Sequence, residues 1–135
     1  MGGNAYGEAR KGDKHALAME SDFGADRVWR VDFNLPETAK PLADQIAGAL
    51  QPLGIGRGQQ PASGGADVQA IIRNNNLAVI DLQQGGTRYF DLHHTPDDTL
   101  DKIDPEQLRQ NVAAWATVLS IVGNSDADLT MPAKE

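Results

Sequence analysis

Leu77-Ala78-Val79-Ile80-Asp81-Leu82 is an apolar run broken only by one carboxylate. A run this short, apolar without alternation and bounded by asparagines and glycines, reads as a strand buried on both faces, as in a parallel sheet under helices. His15-Ala16-Leu17-Ala18-Met19 is the other stretch of this kind, and it stops at Glu20-Ser21-Asp22. Carboxylates at the carboxyl end of a buried strand lie where open α/β sheets place their ligand crevices. They also lie where strand ends are polar for no reason beyond solvation.

Around these two runs the pattern is helical or turn-like. Asn4 to Lys11 predicts a short helix closed by Gly12. Arg27 to Phe33 alternates polar and apolar residues as a half-exposed edge strand does, with Trp29, Val31 and Phe33 on one face. Thr38 is the expected cap of a helix whose stripe is Leu42, Ile46, Ala49, Leu50 and Leu53, with Pro41 in its first turn. Residues 55–66, rich in glycine, predict a long mobile loop. Their glycines match no phosphate-binding fingerprint, since no strand precedes them and no lysine-hydroxyl pair follows. A short helix over Val68 to Asn74 is capped by Ala66-Asp67 and broken by three asparagines. Asp104-Pro105-Glu106-Gln107 opens the last helix, with an expected inward stripe of Leu108, Val112, Trp115, Leu119 and Val122. Residues 1–124 thus read as one packed unit and 125–135 as a poorly ordered tail.

The 135 residues carry a net charge of −7 with scattered lysines and arginines, which argues against a nucleic-acid surface. There is no cysteine, so disulfides and thiolate metal sites are excluded. No apolar run approaches the ~20 residues of a membrane span, and the opening residues lack the pattern of a signal peptide. The helical pattern already under way at Asn4 reads as a piece of something longer.

The chemistry concentrates in Tyr89-Phe90-Asp91-Leu92-His93-His94-Thr95-Pro96-Asp97-Asp98-Thr99-Leu100. Two histidines and several carboxylates stand in a stretch expected to be a loop. Imidazole and carboxylate are the ligand types that suit zinc in a chain without thiols, although manganese and cobalt accept them too. Adjacent histidines in a loop are also commonly solvated or merely hydrogen-bonded.

The order of these elements, with Glu20-Ser21-Asp22-Phe23-Gly24, Gln51-Pro52-Leu53-Gly54-Ile55, Gly64-Gly65-Ala66-Asp67, His93-His94-Thr95-Pro96-Asp97-Asp98-Thr99 and Asp104-Pro105, resembles the C-terminal portion of a known family. It is the zinc-dependent exopeptidase family of the double-zinc aminopeptidases and plasma glutamate carboxypeptidase (carboxypeptidase Q). The likeness covers nearly the whole chain.

The resemblance implies an α/β fold, a partial three-layer α/β/α sandwich around a mixed, mainly parallel sheet, with two zinc ions at the carboxyl ends of its strands. It maps Asp22 onto a ligand of one zinc and His94 onto a ligand of the other. It makes His93 a neighbour of the ligand and Asp98 a carboxylate that fixes the loop, and it sets Asp67 at the border of the peptide-binding pocket. Tyr89 either faces that pocket or packs beside Phe90.

In the family, the bridging aspartate, the remaining ligands and the glutamate base come from segments upstream of the residues matched here. No catalytic residue is therefore assigned within the chain. The resemblance implies half an active site, inactive alone, serving metal-activated attack of water on a peptide bond in the intact enzyme. The other reading is a non-catalytic interaction domain with a vestigial metal motif, self-associating through an exposed sheet edge. Members of the family are often exported, and nothing in the chain assigns a compartment, a terminal preference or a side-chain preference.

Overall fold

The computed structural model describes residues 2–133. Its elements are α1 (Gly2–Ala9), β1 (Val28–Asn34), α2 (Lys40–Leu50), β2 (Gly56–Arg57), α3 (Gln69–Asn75), β3 (Val79–Gln84), α4 (Tyr89–Leu92) and α5 (Pro105–Gly123). The fold is α/β around a mixed sheet of order β2-β1-β3. β1 runs parallel to β2 and antiparallel to β3, pairing Val31 with Leu82 and Asp32 with Asp81. The last four residues of the apolar run 77–82 enter β3, where Val79 and Ile80 are fully buried.

Three expectations about the sheet are corrected. The run at His15–Met19 forms no extended strand: Ala18 alone makes a parallel bridge to Val79, donating to Ala78 O at 2.9 Å and accepting from Ile80 N–H at 3.3 Å. β1 is central rather than at an edge. Trp29 does not share a face with Val31, because a bulge between Val28 and Arg30 shifts the alternation. The extra residue turns Val28 inward and leaves Trp29 half exposed beside the Arg30 guanidinium.

The main core lies between this sheet and the pair α2–α5, with Val28, Val31, Leu42, Ile46, Leu50, Ile80, Leu82, Ala114 and Val118 at its centre. In α2 the buried face takes Ala43 in place of Ala49, and the helix is entered through a turn at Glu37–Ala39 without a Thr38 cap. A smaller cluster of Ala18, Ile71 and Leu77 joins α3 to the segment before β3. There α1 closes on α3 through Gly7, where a Cβ would stand 2.8 Å from that of Ala70, while Gly3 lies against the backbone of Asp67 just before α3. None of the described helices is long and apolar enough to cross a membrane.

The last helix turns a different face inward from the one its apolar periodicity predicts. Gln110, Asn111, Ala114 and Val118 are buried, while Leu108, Val112 and Leu119 are 41%, 59% and 55% exposed. Gln110 explains part of the rotation. Its amide accepts from Val28 N–H at 2.9 Å and donates to Val28 O at 2.7 Å, satisfying the backbone at the start of β1. Ala114 then allows close approach to the sheet.

Residues 124–133 carry no regular structure, yet Ala127 and Leu129 lie against the core, and Asn76 donates to Pro132 O at 2.8 Å. Residues 134–135 of the expected tail fall outside the described residues.

Asp104 caps α5 as its sequence requires, accepting from Glu106 N–H at 2.8 Å and Gln107 N–H at 3.3 Å. Those backbone donors hold its carboxyl below the ordinary value of 3.8. A depressed folded value means that the cap contributes fully above the unfolded value and is lost as pH falls through the folded one. Asp104→Ala is expected to lower Tm by roughly 3 °C at pH 7. In thermal melts run from pH 7 to pH 3, the gap between variant and parent should shrink below about pH 4.5.

Candidate functional site

Two loops build the site. The first, residues 20–27, leaves the Ala18 bridge and turns at Gly24, whose φ is +74°. The second follows β3 through Gly85-Gly86, makes the single helical turn α4 and ends in His93 and His94. Ala18 and Val79 are parallel neighbours, so the residues beyond them emerge at the same end of the sheet.

The two loops enclose a cleft of about 460 Å³ lined by Asp22, Phe23, Tyr89, His93, His94 and Asp98, with Asp26, Arg88, Lys102 and Ile103 among its other walls. Phe23 packs on Tyr89 at 4.7 Å between ring centroids, and Tyr89 stacks on His93 at 4.5 Å with an interplanar angle of 18°. His93 is thereby pinned. His94 is exposed and adopts φ +60°, a left-handed conformation rare outside glycine.

The backbone beyond is tied by Thr95, whose hydroxyl donates to Leu92 O at 2.6 Å and accepts from Asp97 N–H at 3.3 Å. Lys102 reaches Asp97 at 3.0 Å, which raises its pKa, and the Thr99 hydroxyl holds the Asp101 carboxyl below its usual value. Arg88 joins the two loops by pairing with Asp26 at 2.5 Å, an interaction that raises the guanidinium pKa further.

Of the residues singled out in the sequence, Asp22, His94, His93, Asp98 and Tyr89 meet in this one cleft. Tyr89 lines the cleft and packs edge-on to Phe90 at 5.2 Å between ring centroids. Asp98 is a wall residue, and among the described residues its side chain makes no hydrogen bond. The ties in the loop are those of Thr95, Asp97, Thr99 and Asp101.

Asp67 stands apart. Its backbone N–H and that of Val68 donate to the Glu20 carboxylate at 3.0 and 3.2 Å. A second, smaller cleft of about 170 Å³ shares Asp22 and Phe23 with the first, and is closed by Glu20, Asp81 and Ser63–Gly65 rather than by Asp67. The glycine-rich loop is held here by Asp81, which accepts from Ser63 N–H at 2.8 Å and Gly64 N–H at 3.1 Å. The sequence did not single out Phe23, Asp26, Arg88 or Lys102 as parts of the site, although Phe23 stands within the quoted Glu-Ser-Asp-Phe-Gly.

Zinc in a protein site takes three or four ligands, and a paired site needs a bridging carboxylate besides. Among the described residues no three His, Cys, Asp or Glu side chains converge to hold a metal ion. Asp22 brings an exposed carboxylate and His94 an exposed imidazole to the cleft, which are donor types that zinc accepts but not a complete coordination shell.

The sequence profile described as Peptidase family M28 matches residues 1–119. The chain is 28% identical to carboxypeptidase Q of Rattus norvegicus over 128 residues, which are 93% of this chain and 27% of that protein. It is 29% identical to carboxypeptidase Q of Homo sapiens over 112 residues, 83% of this chain and 23% of that one. A crystal structure of a peptidase M28 precursor from Shewanella amazonensis SB2B superposes with a TM-score of 0.88 at 42% identity, covering 98% of this chain and 30% of the other. The chain spans about a quarter of the length of the curated relatives it matches.

Proposed function

The chain belongs to peptidase family M28, and from that membership we propose that it is the C-terminal portion of a zinc-dependent exopeptidase, acting on peptides, in which Asp22 and His94 each hold one of two metal ions. The observation that carries this reading is the convergence of Asp22, His93, His94, Asp98 and Tyr89, drawn from two distant segments, on one cleft at the end of the sheet where parallel neighbours emerge.

Bound zinc supplies Lewis-acid activation of water and polarises a carbonyl. The residues of this chain prepare the place for it. Asp22 and His94 present one hard and one borderline donor, and Tyr89, backed by Phe23, stacks on His93 beside His94. The Asp26–Arg88 pair keeps the two loops at a set spacing. The apolar walls Phe23, Tyr89, Leu92 and Ile103 exclude water from the side of the cleft where a substrate side chain would lie.

With one donor for each metal, the isolated chain is expected to bind zinc weakly or not at all and to hydrolyse no aminoacyl, dipeptide or carboxyl-terminal peptide substrate. Zinc titration by calorimetry of the purified chain, beside an Asp22→Ala/His94→Ala double variant, with a peptidase assay on both, tests this. Tight binding and activity in the parent, lost in the double variant, would show a site completed within the chain or by a second copy.

The alternative is a non-catalytic module that self-associates. The observation favouring it is the edge of β3 away from β1, where among the described residues only the single Ala18 bridge pairs with the strand. Sedimentation equilibrium separates the two: a monomer at micromolar concentration counts against the self-associating module.

A further inference from the structure

Two buried amides lie directly beneath the loop that carries Asp22. Asn111 on α5 is 5% exposed and Gln84 at the end of β3 is 9% exposed. Asn111 Nδ2 donates to Asp26 O at 2.7 Å, with Gln107 O at 3.0 Å and Ala25 O at 3.3 Å as further acceptors. Its Oδ1 accepts from Gln84 Nε2 at 2.8 Å, and the same Gln84 nitrogen reaches Gly24 O at 2.6 Å. Three successive carbonyls of an irregular loop, Gly24, Ala25 and Asp26, are thus held by two side chains that hold each other.

Burying amides costs free energy unless their hydrogen bonds are made, and a fully satisfied network rigidifies what it touches. Leu108, Val112 and Leu119 would bury more apolar area if they faced the sheet, but they are turned out to solvent while Gln110 and Asn111 face in. Gln110 satisfies β1. Asn111 satisfies only loop and helix carbonyls and Gln84, so its return lies in the position of that loop. Above the network the loop continues into the cleft wall, where Phe23 packs on Tyr89 and Asp26 pairs with Arg88.

We propose that Asn111, braced by Gln84, is a positioning residue that sets the 22–26 segment, and with it Asp22, against the loop bearing His94. This inference deepens the reading of the cleft as the functional site and rests on it for its chemical consequence. Asn111 touches neither metal donor and acts through the backbone of residues 24–26.

The test uses Asn111→Asp in the full chain, which keeps the size of the side chain and its acceptor and removes both donors. Val118→Ala serves as a destabilised control far from the network. In nitrogen-15 NMR spectra of the folded variant, the amide resonances of residues 22–26 should move and the Phe23–Tyr89 ring contacts should weaken. The Arg27 N–H, which closes the segment by donating to Gln107 Oε1 at 2.8 Å, should exchange about tenfold faster, as for loss of about one hydrogen bond. Val118→Ala should leave all three unchanged. Should Asn111→Asp fail to fold, Gln84→Met, which removes the Gly24 anchor, is read in the same way.

Unchanged 22–26 resonances in a folded variant, or equal changes in Val118→Ala, would overturn the proposal. Cobalt(II) added to the parent chain at millimolar concentration separates the two claims. If its line broadening centres on residues other than Asp22 and His94 while Asn111→Asp still shifts the 22–26 segment, the positioning role stands and the metal assignment falls.

Discussion

Replacing Gly58 by alanine is expected to lower the unfolding free energy by about 3 kcal/mol. Gly58 follows β2 and is pinned by its N–H, which donates to Val31 O at 2.8 Å. A Cβ there would overlap Asp32 Oδ1 and stand 2.8 Å from Asp32 Cγ and 2.9 Å from Arg30 Cδ. The hydrogen that glycine carries in that place points at Oδ1, which is buried with no hydrogen-bond partner among the described residues. Asp32 is 2% exposed, and its other oxygen is gripped by Arg30 Nε at 3.0 Å and Nη2 at 2.9 Å.

Relief therefore requires either a shifted loop, at roughly 1–3 kcal/mol for overpacking, or a broken buried ion pair, at about 3–5 kcal/mol. Gly54→Ala is the comparison. Its φ of +76° strains an alanine by about 1 kcal/mol, but the space around it is open. Urea unfolding of the two variants should give midpoints separated accordingly. Equal losses would mean that Asp32 yields freely, and that the tight approach has no energetic weight.

The elements that were legible in the sequence are those whose signal is local. Val79 to Leu82 in β3 needs no partner to be recognised, and Asp104-Pro105 stops and starts the chain through groups within three residues of each other. The Ala18 run carries the same composition as β3 but forms one bridge, because a strand exists only where a neighbour pairs with it, and composition records burial rather than pairing.

Alternation alone puts Trp29 on the face of Val31, but a single bulge inverts the alternation upstream of it without any mark in the residues themselves. The buried face of α5 departs from its apolar periodicity for a related reason. Apolar periodicity counts what gains from burial, whereas Gln110 and Asn111 are drawn inward by carbonyls of residues 24–28 that only the folded chain brings near.

In the site, Asp22, His94 and their neighbours were legible because chemistry-bearing residue types stand at the ends of recognisable elements. The Asp26–Arg88 tie and the amides beneath were not, since each joins residues more than twenty apart and neither has a spacing rule. Asp67 was visible within its glycine motif, but its contribution is a backbone N–H to Glu20, which a side-chain reading overlooks.

Asp81→Ala is expected to cost about 2 kcal/mol and to release the glycine-rich loop from the second cleft. Asp81 lies on β3 opposite Asp32, 8% exposed, and its carboxylate accepts the N–H groups of Ser63 and Gly64. Truncation leaves two donors without their acceptor, at about 1–3 kcal/mol each when water cannot replace it. Ser63 is exposed, so water recovers part of its share.

Removing one of two carboxylates directly opposite each other returns up to about 1 kcal/mol of like-charge repulsion. The unmet donors win, since that repulsion is already offset on the Asp32 side by Arg30. Asp81→Asn keeps one acceptor oxygen and should lose about half as much. Amide exchange at Ser63 and Gly64 should accelerate by about tenfold or more in Asp81→Ala, while Asp67 and Val68, held by Glu20, should stay protected. If all four amides open together, the loop is one cooperative unit hung on Glu20, and the grip of Asp81 adds nothing local to it.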